Sequence, residues 1–106
     1  MDFTIYDSLI PALSDSPTVT ELQNHRDWVE RARDMMLGRQ FYVAEIMIEH
    51  ISIGCTDQYK LDAVADMKAV HDKADEYTAR ITELNTRIMD MVKEQIGWNE
   101  VENPND

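Results

Sequence analysis

From Ala63 to Met91 the chain returns to an apolar or small residue at intervals of four and three: Ala63, Met67, Val70, Ala74, Tyr77, Ile81, Leu84, Ile88 and Met91. A half-buried strand would alternate every second residue, so this period specifies an α-helix with one apolar seam. A seam of nine consecutive positions needs an equally long partner to bury it.

The partner lies upstream. Leu22, His25, Val29, Ala32, Met36, Arg39, Val43, Ile46, His50 and Ile53 follow the same alternation, which predicts a second seam helix over about 19–53. Thr18-Val19-Thr20-Glu21 has the form of a capping box and opens it. Gly38 is expected to soften it, and Gly54 to stop it in a left-handed conformation. Thr56 or Asp57 then caps a helix over about 57–96, which Gly97 ends, with Trp98 folding back on Val92.

Both helices rise equally per residue, so a reversal at Gly54-Cys55 makes facing residue numbers sum to about 110. That register sets Leu22 by Ile88, Val29 by Ile81, Ala32 by Tyr77, Met36 by Ala74, Val43 by Met67 and Ile46 by Val64. Large residues meet small ones, as interdigitating layers require. The expected fold is therefore all-α: a long antiparallel helical hairpin, coiled-coil-like, over 18–97. A short N-terminal helix and loop precede it over 1–17, interrupted by Pro11, and a polar tail, 98–106, follows. The N-terminal segment is expected at the open end of the hairpin, near Trp28, Met89, Val92, Ile96 and Trp98.

One stretch is too apolar for this arrangement. Between Phe41 and Ile53 lie nine apolar residues, of which Val43 and Ile46 serve the predicted seam. Leu37, Phe41, Ala44, Ile48 and Ile51 form a second stripe at helical spacing. A helix apolar on several faces is normally covered on several faces. These five residues are the candidate self-association interface, most simply in a symmetric dimer that makes a four-helix bundle. A β-strand over 41–53 is the competing reading, since the stretch is rich in β-branched and aromatic residues; continuity with the upstream heptad favours helix.

Charge narrows the partners. Twenty-one acids against ten bases give a formal net charge of −11, which disfavours direct contact with nucleic acid or an anionic membrane. A protein partner with a basic surface fits better. Neither a basic start followed by an apolar run nor a spanning-length apolar stretch is present, and Cys55 is the only cysteine. Those features predict a soluble, cytoplasmic protein.

The candidate chemistry is sparse. Glu45 and Glu49 share a helix face near His50, and His71 is able to approach from the other helix. The Glu-x-x-His pair of carboxylate-bridged bundle sites is missing, and Glu49 and His50 point about 100° apart. Cys55 has no favoured base, and Asp72-x-x-Asp75 with Glu76 is a fragment of the acidic motif of helical pyrophosphatases. His25 and His50 at seam positions are expected at its wet edge. Glu76 with Arg80, and Glu83 with Arg87, are spaced as ion pairs on a solvated face.

These observations predict a non-enzymatic, self-associating helical protein that works by protein–protein contact, with no catalytic, metal or cofactor residues. An acidic inhibitor or DNA mimic acting on a nucleic-acid-binding enzyme is the alternative, and a metal-dependent bundle enzyme a distant one. Ile81→Asp is expected to unfold the hairpin and Ile48→Asp to split the assembly.

Overall fold

The computed structural model describes residues 2–97, which fold into three helices: α1, Thr4–Asp7; α2, Val19–Ile53; and α3, Asp57–Gln95. No strand occurs among the described residues, and 41–53 is helical throughout. The expected tail and the Trp98 contact lie outside the described residues.

The ends of the long helices follow from local chemistry. Thr18 Oγ1 accepts from the Glu21 backbone N–H at 3.1 Å, and Thr56 Oγ1 accepts from that of Tyr59 at 3.1 Å. Each hydroxyl satisfies a donor that the first helical turn leaves unpaired. Glu21 completes the N-terminal arrangement differently from a capping box. Its carboxylate accepts from the Ser14 hydroxyl at 2.8 Å, tying the loop before α2 to the helix and holding the carboxyl below its ordinary value. At the reversal Gly54 has φ 97° and ψ 127°, a conformation that side chains resist. Gly97 follows α3 with φ 66°. Gly38 leaves α2 unbroken.

α2 and α3 pack antiparallel in the predicted register. Arg26 donates to Asn85 Oδ1 at 3.1 Å, Arg33 to Thr78 Oγ1 at 3.3 Å, and His50 stacks on Tyr59 at 5.5 Å. The numbers in these pairs sum to 111, 111 and 109. Leu22, Val29, Ala32 and Tyr77 are fully buried, and Met36, Val70, Ala74, Leu84 and Ile88 nearly so. Ile81 is only partly covered, packing on the edge of this core.

The N-terminal segment lies elsewhere than expected. It runs back along the middle of the hairpin as a strap. Ser14 sits by Glu21, the Pro11 carbonyl 2.6 Å from His25 Nδ1, and Asp7 beside Tyr77 and Lys73. Asp2, Ile5 and Tyr6 then reach Met36, Arg39 and Gln40. Polar anchors set this course. The Tyr77 hydroxyl donates to Asp7 at 2.6 Å, and Lys73 lies 3.2 Å from the same carboxylate and 5.0 Å above the Tyr77 ring. Burial pushes the Asp7 carboxyl up, but the bonds from Tyr77 and Lys73 outweigh it and hold it below its ordinary value. Burial and the same bond push the Tyr77 hydroxyl up.

His25 is not at a wet edge either. It is 8% exposed, with Arg80 Nη2 3.2 Å from Nε2. A guanidinium only donates, so Nε2 accepts from Arg80 while Nδ1–H donates to the Pro11 carbonyl, and both ring nitrogens are used. Arg80 is thereby directed to His25 and forms no ion pair with Glu76, whose partner is Lys73 at 3.5 Å. No Glu83–Arg87 pair forms among the described residues.

Candidate interaction surface

The seam does not keep its predicted course past Met36. Burial passes from Ala32 and Met36 to the half-buried Gln40, Val43, Ala44 and Met47, while Arg39, Ile46, His50 and Ile53 are exposed. Ile46 and Val64, expected to pack together, are 38% and 65% exposed. The cause is geometric. An α-helix turns every 3.6 residues and drifts by ~20° per heptad against a 3.5-residue repeat. Two successive four-residue steps, Ala32 to Met36 to Gln40, absorb that drift and move the seam by one position.

This shift brings the predicted stripe to the border of α3. Leu37 and Ala44 are half-buried there, whereas Phe41, Ile48 and Ile51 are 75%, 65% and 46% exposed. All five residues line one groove between the helices. Its lower part, about 170 Å³, is bounded by Leu37, Gln40, Phe41, Ala44, Met67, Val70 and His71. Its upper part, about 320 Å³, is bounded by Ala44, Met47, Ile48, Ile51, Lys60, Ala63, Val64 and Met67. The two parts share Ala44 and Met67. Small residues, Ala44 and Ala63, lie between the larger side chains that form the walls.

The α3 wall is the part that the heptad reading missed. Met67 was assigned to the seam but is 43% exposed, and Leu61 and Val64 are each 65% exposed. Leu61 and Val64 fall outside the four-three alternation of α3. That departure is a sequence signal of a second apolar face. Of the thirteen large apolar residues exposed among those described, nine fall between Phe41 and Met67, so the surplus is regional.

Among the described residues no carboxylate lines the groove, in a chain with 21 of them, and Lys60 supplies its one formal charge. Gln40 marks the lower end. Its amide Nε2 is buried without a hydrogen-bond partner, beside a cavity of about 260 Å³ under the strap. A buried, unpaired amide costs stability.

The residues considered for chemistry do not converge. No three His, Cys, Asp or Glu side chains come together among the described residues. His50 stacks on Tyr59, whereas His71 borders the groove beside Phe41 and Met67. Cys55 is a free thiol in the turn. No helix among the described residues is long and apolar enough to cross a membrane.

Comparison with protein-family models, curated proteins and solved structures gives no match to this chain.

Proposed function

We propose that this protein works without catalysis, through protein–protein contact, and that the groove-bearing half of the hairpin associates with a second copy of the chain. The reading rests on one observation: five residues of the apolar surplus, Phe41, Ile48, Ile51, Val64 and Met67, line one continuous groove that carries no acid among the described residues. Monomeric proteins rarely expose contiguous apolar patches larger than a few hundred Å². Here two aromatic rings and seven aliphatic side chains are at least 38% exposed within 27 residues, Phe41 to Met67. An assembly component, adaptor or regulator built on a helical bundle fits this surface.

Ile48→Asp tests the reading, because Ile48 is exposed and outside the buried core. Light scattering should show the variant shifted to monomer while circular dichroism retains its helix content. An unshifted assembly would mean that the groove is not the contact.

A further inference from the structure

We infer that two copies join groove to groove in antiparallel orientation, about a two-fold axis passing near Ala44 and Met67. The inference rests on the self-association reading and adds the geometry of the occupant.

Three observations carry it. The first is the layout of the α2 side of the groove. Its lining residues, Leu37, Gln40, Phe41, Ala44, Met47, Ile48 and Ile51, stand at −7, −4, −3, 0, +3, +4 and +7 from Ala44. Antiparallel copies crossing at Ala44 have facing α2 numbers summing to 88, because both rise equally per residue. Leu37 then meets Ile51, Phe41 meets Met47, and the smallest side chain meets itself at the axis. The upper limit of the groove agrees: beyond Ile51 the helix stops at Ile53.

The second is charge. Residues 37–71 hold three bases (Arg39, Lys60, Lys68) and five acids (Glu45, Glu49, Asp57, Asp62, Asp66), a net of −2 out of −11. The repulsive charge of the chain is concentrated away from the groove, and a second acidic copy is able to approach this end. The hairpin register places residue 66 level with Ala44, so facing α3 numbers sum to about 132. The antiparallel pair then sets Lys60 of the two copies about twelve residues apart along α3, whereas an in-register parallel pair would set Lys60 level with Lys60.

The third is area. A stable interface covers ~800 Å² per partner. Phe41, Ile48, Ile51, Val64 and Met67, at 43–75% exposure, line the groove from both helices, and with Leu37, Ala44 and Met47 between them they form a two-helix footprint that approaches that scale.

The test uses the full chain with Cys55→Ser and two further single variants, Leu37→Cys and Ile51→Cys, treated with a short thiol-specific cross-linker. The antiparallel pair predicts little covalent dimer from either variant alone and abundant covalent dimer from their mixture. Phe41→Cys mixed with Met47→Cys should behave alike, which guards against misfolding of one variant. Covalent dimers from each variant alone would establish a parallel pair and overturn the inference. A chain that sediments as an oligomer yet gives no cross-link in any combination would also overturn it, placing the contact elsewhere. A chain that sediments as a monomer would instead remove the self-association reading beneath it.

Discussion

The two halves of the hairpin are made from the same pair of helices but finished differently. In the half near the helix ends at Val19 and Gln95, Val29, Ala32 and Tyr77 have no exposed surface. A third piece of chain, the strap, lies across them, bonded through Asp7 and Pro11. In the half near Gly54, Phe41 and Ile48 keep most of their surface in contact with solvent, and none of the described residues lies across the groove they border. Two helices side by side form a slab, and the molecule measures 69 × 31 × 17 Å. A slab one helix thick leaves both broad faces open unless something covers them. The chain covers one half itself and leaves the groove of the other exposed. Gln40, with its unpaired amide, stands at the boundary.

The largest expected effect belongs to the sealed half. Val29→Asp places a charge where the side chain is fully buried, and should cost more than about 4 kcal/mol and unfold the chain. Thermal melting followed by circular dichroism checks it; a folded variant would show that the seam relaxes more than close packing allows. In the open half, Ile48→Asp should change the stability of the single hairpin by no more than about 0.5 kcal/mol. It should weaken association by about 2 kcal/mol or more, close to 30-fold in Kd. Concentration-dependent sedimentation separates these two effects, and equal losses of stability in both variants would erase the distinction between the halves.

Two smaller effects probe the strap and the boundary. Tyr77→Phe removes the hydroxyl that holds Asp7 and should cost about 1 kcal/mol, the usual charge-assisted bond discounted for solvent exposure of the carboxylate. The strap's contribution also depends on pH. The Asp7 carboxyl lies below its ordinary value of 3.8 in the folded chain, so the stability it adds is complete above that value. It is lost as pH falls below 3.8 and through the lowered folded value. Amide exchange of residues 2–13 should accelerate over that range, and Tyr77→Phe should flatten the change. Gln40→Leu should stabilise by about 1 kcal/mol, since it replaces an unpaired buried amide with a side chain that extends the seam. Destabilisation would show that the amide is satisfied in the functioning protein. Smallest of all, Gly38→Ala should add about 0.5 kcal/mol or slightly more, because its Cβ meets nothing within 4 Å. Unchanged or lower thermal stability would show that the backbone at Gly38 is needed as glycine.

The sequence made the long elements legible because their signals are local and repeated. The α2 limits, the caps at Thr18 and Thr56, the turn at Gly54 and the register near 110 all follow from spacing and residue type. The course of the strap was not legible. It depends on Tyr77 and His25, whose apolar bodies fit the seam pattern while their polar atoms select Asp7 and Pro11 from a distant segment. The seam's slip past Met36 was hidden for another reason. Ile46 and Met47 are equally suitable residues, and only the accumulated helix drift decides between them. The five stripe residues were visible as surplus, but their joining with Lys60, Val64 and Met67 into one groove required both helices in place.

Sedimentation of the unmodified chain, followed across the micromolar range, tests most directly whether this hairpin is half of an assembly. The monomer mass is 12.3 kDa. The account predicts a species of twice that mass, or a higher multiple, at tens of micromolar, dissociating on dilution; a single 12.3 kDa species throughout would contradict it.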